Sequence, residues 1–511
     1  MGKVSINLLG QIGVITDAQP EEIAPNALTV GNNVRVKNNA VQRRGGFANI
    51  LGSPSITADG IGIYNSTFGN YVVYAGPSAV YADASGAPIN ITGPTISGSA
   101  AVRHTGGTLN GVYIFNNGVD VPQYWGGNPA STLATLPAWS SGWSAKILRP
   151  FKNYLVALNV TKAGANYQYM VKWSSAAEPG TVPASWDEAN PANDAGEIDL
   201  AETTDPMVDA APLGDSLIIY KSSSMYAMTY IGGQYIFSFR RIPGNVGMLA
   251  AGCCAQTPLG HVVLTPGDVV LNDGQSTRSL VDGRVREYLF SQISSSYYFK
   301  CFVVANNAKN EVLICYPANG SSVCNKALVY NYANQACTFI DLPNATCGTA
   351  GEFSYASISA WNTDASDWDS DITTWLQSDV ALTQSRVILA TSAPKIQAMD
   401  IGKMDDTASF TATVERTGLI FDDAEAVKLF TAAYPRIQGD AGKTVYFQFG
   451  GAMSVGSDYT WSSPTPFVIG TTRKLDGFAT GRLLAWRAYS VDAFDWRMTS
   501  MDMDVSPQGL F

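Results

Sequence analysis

Signals for short β-strands recur about every ten residues along most of this chain, and this cadence limits the possible folds more than any other feature. Turn residues such as Asn272-Asp273-Gly274 separate the runs. Groups of three or four strands, such as those in residues 61–92 and 213–239, recur with a period of about 40 residues, and that is the period of one β-propeller blade. An array of β-sandwiches would give a similar rhythm. The pattern therefore predicts an all-β chain and favours a β-propeller, with a sandwich array as the alternative.

Two segments interrupt the cadence, and the pattern changes near the end of the chain. Residues 161–208 are poor in strand signals and rich in Ala, Pro and acidic side chains, which predicts an insertion or a long loop. Residues 360–383 hold Trp361, Trp368 and Trp375 among acidic and hydroxyl side chains, and we interpret them as a second insertion. Beyond about residue 405, apolar and acidic residues alternate in 501–505, as in a strand with one buried face. We expect a compact β-sandwich there.

The composition indicates a chain whose surface is partly covered by other subunits and that does not wrap nucleic acid. Only 14% of the 511 residues are charged, whereas about 25% is usual. Low charge on a large chain suggests that other subunits cover much of it, although secreted β-rich proteins share this property. The net charge of −10 argues against a basic surface that binds nucleic acid. It allows an acidic channel through which nucleic acid passes without adhering.

Cysteine usage and hydropathy indicate an intracellular origin. The N-terminal residues contain no apolar core of the kind found in signal peptides, and no run approaches the roughly 18 apolar residues of a membrane span. All seven cysteines lie between Cys253 and Cys347, in an odd number and without a C-x-x-C pair. This usage predicts buried free thiols made in a reducing cytoplasm, and it disfavours disulfides and a zinc site.

Motifs for catalysis are weak. The two histidines, His104 and His261, are each expected to be structural, because His261 borders an apolar strand and His104 a glycine-rich turn. Residues 439–444 end like a phosphate-binding loop, but Ile437 stands where the motif needs its first glycine, so we expect a hairpin turn. No sequence feature selects a pair of carboxylates for glycoside hydrolysis. We expect no catalytic residue and no cofactor.

A metal site is also not expected. Alternate carboxylates in Asp367-Trp368-Asp369-Ser370-Asp371 could contact Ca²⁺. However, Ile372 and Ser378 occupy the positions where an EF-hand loop has Gly and Glu, so a solvated loop is the better interpretation.

The N-terminal residues 6–52 predict an extended arm followed by a basic hairpin. Residues 33–36 alternate in period two, Asn38 and Asn39 suit a turn, and residues 41–44 form the return strand. Arg35, Arg43 and Arg44 place three guanidinium groups on this hairpin. We expect them to pair with carboxylates of a neighbouring subunit or an adaptor protein, and the alternative is a solvated basic edge.

This opening resembles the start of the tail nozzle proteins of short-tailed bacteriophages, also called tail tubular protein B, tail hub or DNA-stabilisation proteins. The resemblance rests on residues 33–36 and on Arg44, Gly46 and Phe47. The C-terminal part carries a stronger match, and the centre contributes further motifs. These motifs are Val171-Lys172-Trp173-Ser174, Pro212-Leu213-Gly214-Asp215, Tyr230-Ile231-Gly232-Gly233, Tyr434-Pro435-Arg436, Gly481-Arg482-Leu483, Trp496-Arg497-Met498, Asp502-Met503-Asp504 and Pro507-Gln508-Gly509.

The resemblance implies a structural virion protein without an active site. Such proteins form a homohexameric tube below the portal and adaptor rings, which retains packaged double-stranded DNA and conducts it into the host. Expected partners are other copies of the chain, the adaptor, and tail fibre or tailspike proteins, and double-stranded DNA is expected to pass through the lumen without sequence-specific binding. No stable membrane insertion is expected. We expect residues 1–50 and 405–511 to form a β-sandwich-like platform and residues 51–404 a six-bladed propeller. The alternative function is a propeller-type carbohydrate-binding or glycan-hydrolysing protein.

Overall fold

Strands dominate the chain, and the predicted all-β class is confirmed. The structure, a computed structural model, describes residues 2–510 except 353–384 and positions 53, 85, 95, 100, 101, 191, 234, 422 and 423. Within that described part, the helical elements are one α-helix, Arg286–Gln292, and two short 3-10 helices, Tyr298–Lys300 and Asn307–Lys309. No described helix has the length and apolar character needed to cross a membrane.

Five four-stranded antiparallel sheets follow one another along the chain, and each is a meander with its strands in sequence order. We call them blades 1 to 5. Their strands are Gly60–Ser66, Gly69–Ala75, Val80–Asp83 and Ile89–Asn90 in blade 1; Thr105–Leu109, Val112–Asn116, Gln123–Trp125 and Ala134–Thr135 in blade 2; Trp143–Phe151, Tyr154–Lys162, Ala165–Trp173 and Gly196–Asp199 in blade 3; Met207–Leu213, Ser216–Lys221, Met225–Tyr230 and Phe237–Arg241 in blade 4; and Cys254–Thr257, Gly260–Leu264, Val269–Asn272 and Thr277–Ser279 in blade 5.

One long strand, Ala336–Glu352, belongs to two further blades. Its first half is the fourth strand of blade 6. The first three strands of that blade are Phe302–Asn306, Glu311–Tyr316 and Cys324–Asn331, and the last of these pairs with the long strand. Its second half begins blade 7 by pairing with Ser385–Thr391. The two remaining strands of blade 7 are Ile396–Met399 and, from the other end of the chain, Phe47–Asn49.

The seven blades form a closed ring, because an apolar cluster lies between each blade and the next. Such clusters join blades 1 and 2, 2 and 3, and 3 and 4, and one large cluster joins blades 4, 5 and 6. Phe302 and Leu389 belong to the cluster between blades 6 and 7, and Val72 and Ile388 to the cluster that returns from blade 7 to blade 1. The fold is therefore a β-propeller.

The expected number of six blades was one too few. The first two strands of blade 7 flank residues 353–384, and its last strand comes from the N-terminal region. Local cadence cannot reveal a sheet that is assembled from such distant pieces.

Both ends of the chain contribute to a β-sandwich beside blade 6. Its first sheet contains Gly2–Ile6, Val34–Lys37, Ala40–Arg43, Ala426–Gly439, Leu475–Gly481 and Trp496–Leu510. Its second sheet contains Val30–Asn32, Ala412–Leu419, Thr444–Ala452, Thr460–Trp461, Thr465–Val468 and Leu483–Ser490. Between the sheets, the rings of Phe430 and Phe449 stack with centroids 4.1 Å apart, and Trp486 is fully buried. Asn32 pairs in parallel with Phe339, so the second sheet continues into blade 6.

The predicted insertion at residues 161–208 contains two strands as well as long connections. Ala165–Trp173 and Gly196–Asp199 are the outer strands of blade 3, and the described residues between them and in 200–206 contain no strand. Two acidic residues of this segment, Glu188 and Glu197, form ion pairs with the buried ammonium group of Lys172. The second predicted insertion, residues 360–383, lies outside the described residues.

The seven cysteines are all free thiols, as predicted, and all but Cys254 are buried. Burial raises the pKa of Cys253, Cys324 and Cys347 to about 12. Such thiols carry little thiolate near neutral pH, and the thiolate is the form that reacts.

We expect the native protein to react with a thiol reagent at pH 8 more than about 100-fold slower than the same protein in denaturant, because burial suppresses both thiolate formation and access. The measurement is the time course of modification, with intact mass to count modified thiols. A disulfide-free small thiol serves as the control for reagent quality. Prompt native modification of several cysteines would contradict this expectation.

Candidate functional site at the junction of propeller and sandwich

The basic hairpin lies where the sandwich meets blades 6 and 7. Its strands Val34–Lys37 and Ala40–Arg43 pair with each other, and Gln42 pairs with Arg497 in the C-terminal strand. Asn38 and Asn39 have φ angles of 49° and 57°, a left-handed conformation that asparagine tolerates, so the predicted turn is present. The hairpin therefore belongs to the first sandwich sheet and turns its arginines toward the propeller.

Arg35 joins three parts of the chain through one guanidinium group. It is 7% exposed. Its Nη1 and Nη2 donate to the two carboxylate oxygens of Asp400 at 2.9 and 3.0 Å, and its Nε lies 2.6 Å from Oε1 of Glu311. Asp400 directly follows the third strand of blade 7, and Glu311 begins the second strand of blade 6. One cation from the sandwich thus contacts two neighbouring blades.

For Arg35, Asp400 and Glu311, attraction between the charges compensates the effect of burial on the pKa to different degrees. Burial lowers the pKa of Arg35, but attraction to Asp400 and Glu311 outweighs it, so the pKa is raised overall. Burial raises the pKa of Asp400, but Arg35 outweighs it and the pKa is lowered. Burial also raises the pKa of Glu311, and there Arg35 offsets it only in part while Asp400 adds to it. Glu311 is therefore the less well balanced carboxylate of the pair.

Arg43 and Arg44 are buried against the segment that follows blade 7. The Arg44 guanidinium binds both carboxylate oxygens of Asp405, at 2.8 and 2.7 Å. Arg43 donates to the carbonyl of Lys403 at 2.8 Å. The two guanidinium groups lie 3.7 and 3.9 Å from the centroid of the Phe410 ring, within the range of cation–π attraction. Burial, together with the nearby Arg44, lowers the pKa of Arg43 to about 10.

The structure corrects the sequence interpretation of these arginines. Arg35, Arg43 and Arg44 are at most 7% exposed, and their partners, carboxylates for Arg35 and Arg44 and a backbone carbonyl for Arg43, belong to the same chain. They form neither a solvated edge nor, within this chain, an exposed surface for a neighbour. A Cβ on Gly46 would lie 1.9 Å from the carbonyl oxygen of Met404, so the glycine permits this close approach of the returning segment. The acidic residues of 400–406, in a chain poor in charge, are the signal that could have suggested internal pairing.

A cleft of about 310 Å³ opens beside the hairpin turn, between the sandwich and two loops of blade 6. Its lining combines exposed or half-buried polar residues with the buried Arg35, Glu311 and Asn331. The lining residues are Arg35, Val36, Lys37, Asn38, Asn39, Ala308, Lys309, Asn310, Glu311, Asn331, Ala333 and Asn334. The cleft is thus rich in amide groups and has ammonium groups near the surface.

The two histidines lie in the interior of the propeller. His261 Nε2 donates to the carbonyl of Pro212 and its Nδ1 accepts from the Tyr220 hydroxyl, each at 2.8 Å, which assigns the neutral tautomer. Burial, with a contribution from Arg103, lowers the pKa of His104 to about 4. Both arrangements fit structural roles at pH 7.

Residues 439–444 form the expected turn, between a strand that ends at Gly439 and one that begins at Thr444. The carboxylates of 367–371 lie outside the described residues. Within the portion that the structure describes, no group of three or more His, Cys, Asp or Glu side chains is arranged to hold a metal ion.

The solved structures that match this chain include a distant β-propeller. No protein family model and no curated protein matches the sequence. Among solved structures, the WD40 β-propeller domain of Doa1 is similar at 9% sequence identity, with a TM-score of 0.38, covering 70% of this chain and 97% of that domain. The assignment of the propeller here accordingly rests on its own strand order and ring of apolar clusters.

Proposed function

We propose that the chain is the structural subunit of a tail nozzle, a ring below the portal and adaptor of a short-tailed bacteriophage. The observation that carries the proposal is the joining of both chain ends into one sandwich attached to a propeller. The opening match and the stronger C-terminal match to nozzle proteins, described above, lie at the same two ends. In this proposal the propeller forms the wall, and the sandwich contacts neighbouring subunits, the adaptor and the fibre or spike proteins.

The sandwich carries three strongly exposed apolar side chains that we take as a contact surface. Met453 and Val455 follow the strand Thr444–Ala452, and Phe478 lies in the strand Leu475–Gly481 that packs against it. Their exposed fractions are 53%, 60% and 74%. Single exposed apolar residues are ordinary, but several on adjacent segments indicate an interaction site. We call these three residues the sandwich tip patch.

The charge of the chain supports passage of DNA without adhesion. Each copy carries a net charge of −10. In a ring of six copies, part of the channel wall is then negative, and a duplex confined there is repelled by the wall. The ring would hold the DNA by confinement until a gate opens, and no sequence-specific contact is needed.

The test is assembly in the presence of the adaptor protein. We expect a hexameric ring in native mass spectrometry and negative-stain images, and only weak DNA binding by the isolated subunit at low salt. Tight, strongly salt-dependent DNA binding by a protein that stays monomeric with its adaptor would overturn the proposal.

A double substitution of the tip patch, Met453→Asp with Phe478→Asp, is expected to reduce ring formation by at least about tenfold, because charges would be buried at an apolar contact. The melting temperature of the subunit should stay nearly unchanged, since both side chains are exposed. Phe68→Asp, at a 58% exposed position of the propeller, is the matched control. Assembly of the double variant at the level of the control would exclude this patch from the contacts.

The alternative, a carbohydrate-binding or glycan-hydrolysing propeller, predicts a monomer that does not assemble with an adaptor. The amide-rich cleft is the observation that favours this alternative. The oligomeric state in the assembly experiment separates the two functions.

A further inference from the structure

The outermost strand of blade 4, Phe237–Arg241, is an open edge of its sheet. Its one strand partner in the described chain is Met225–Tyr230. It has five residues, whereas the outermost strands of blades 1, 2, 3 and 5 have two to four. Proteins commonly shorten or cover such edges, because unpaired backbone groups attract another strand. Blade 4 therefore leaves more backbone open to pairing than these other blades do.

A hydrogen bond beside the strand shows which of its backbone groups point outward. The amide of Ile242 donates to the carbonyl of Met225 at 3.0 Å. Bonding toward the partner strand alternates along an antiparallel pair, so it falls on the even-numbered residues here. The odd-numbered residues Phe237, Phe239 and Arg241 direct their N–H and C=O groups away from the blade. None of these groups has a hydrogen-bond partner among the described residues.

Two adjacent arginines give one end of this edge a positive charge. Arg240 and Arg241 are both exposed, and successive residues of a strand point to opposite faces, so each face carries one guanidinium group. Arg240 donates to the carbonyl of Gly274 at 3.3 Å, and neither arginine forms an ion pair with a described residue. Like charges repel a second copy of the same edge, whereas carboxylates would bind here. The edge thus disfavours pairing with itself and selects an acidic strand.

The other end of the edge is apolar. Tyr230, Ile231 and Tyr235 are 41%, 56% and 73% exposed. Tyr230 pairs with Phe237 at the start of the strand, and Tyr235 lies two residues before it in the chain. Exposed apolar side chains on adjacent segments are typical of an interaction site. A strand added along this edge would therefore find apolar contacts at one end and cationic contacts at the other.

We propose that this edge binds an extended acidic segment of a partner protein as a fifth strand of blade 4. Antiparallel pairing, the arrangement of the whole blade, places two adjacent acidic residues near the N-terminal end of the segment opposite Arg240 and Arg241. Apolar residues nearer its C-terminal end then lie beside Tyr235. The inference goes beyond the proposed assembly function and does not rest on it, because binding by the isolated subunit and ring formation succeed or fail separately.

The test is fluorescence anisotropy of the intact chain with a labelled peptide, about nine residues long, that begins with two glutamates and ends in apolar residues. We expect saturable binding that weakens by at least about tenfold in the double variant Arg240→Gln with Arg241→Gln, because two charge-assisted contacts are lost. Arg278→Gln with Arg473→Gln is the matched control, since it removes the same charge from exposed positions, one of them in the edge strand of blade 5. The control should change affinity less than about twofold at physiological salt. Absence of saturable binding, or equal loss in the two variants, would overturn the proposal.

Modified peptides separate strand pairing from attraction between charges alone. N-methylation of alternate residues removes the N–H groups that face blade 4 in one pattern and those that face solvent in the other. The first pattern should weaken binding by at least about tenfold and the second by less than about threefold. Bound peptide should also slow hydrogen exchange in Phe237–Arg241 and leave Thr277–Ser279 of blade 5 unchanged. Equal effects of the two methylation patterns, tight binding of a peptide with lysines in place of the glutamates, or unprotected amides in Phe237–Arg241 would each contradict the added strand.

Discussion

Replacing Arg35 with methionine should lower the free energy of unfolding by about 3–5 kcal/mol, because two buried carboxylates lose their common partner. Glu311 is 1% and Asp400 12% exposed at the side chain, so water cannot replace the guanidinium readily. Methionine retains much of the length and apolar volume of the arginine stem, which limits any cavity. The measurement is equilibrium unfolding in urea, analysed for the midpoint and for the slope with denaturant.

A matched control separates burial of charge from loss of an arginine. Arg286 pairs with Asp282 at 2.8 Å, but their side chains are 40% and 61% exposed. Arg286→Met should therefore cost less than about 1 kcal/mol. A triple variant, Arg35→Met with Glu311→Gln and Asp400→Asn, removes all three charges and should recover part of the loss. An Arg35→Met variant as stable as Arg286→Met would show that the carboxylates do not depend on this guanidinium.

Local sequence pattern was sufficient for most of the propeller. Blades 1 to 5 are meanders of neighbouring strands, so alternation and turn residues report most of their strands directly, although the outer strands of blade 3 fall in the segment predicted as an insertion. The same information was insufficient for blade 7, in which Phe47–Asn49 pairs with Ile396–Met399. A three-residue strand has almost no periodicity, and its partner lies far away in the chain. Long-range pairing of this kind is visible only in the folded structure.

The candidate site shows the same division between local and distant information. The hairpin and its turn at Asn38 and Asn39 follow from residue preferences. Whether Arg35 and Arg44 face solvent depends on where the fold places Asp400 and Asp405, which are distant in sequence. No local sequence pattern reports that placement. The cleft likewise arises from the meeting of the hairpin with blade 6, so its lysines and asparagines could not be grouped in advance.

The N-terminal strand that completes blade 7 makes Phe47 important for ring closure. Its side chain is 0% exposed and belongs to the apolar cluster between blades 6 and 7, with Phe302 and Leu389. Its carbonyl accepts a hydrogen bond from the amide of Asp406 at 2.6 Å, so the strand is held on both sides. Truncating this ring would leave a cavity at the place where the two ends of the propeller segment meet.

Phe47→Ala is therefore expected to lower the free energy of unfolding by about 3–5 kcal/mol, the usual cost of a large cavity in a packed core. Phe68→Ala, at a position 58% exposed, should change it by less than about 0.5 kcal/mol. Hydrogen exchange adds the location: amides of Ile396–Met399 should exchange faster in Phe47→Ala, while those of Val112–Asn116 in blade 2 should change least. Because blade 7 is the only described blade built from both ends of the propeller segment, loss of its N-terminal strand opens the ring there first. Equal acceleration in blades 2 and 7, or stability equal to that of the control, would contradict this role.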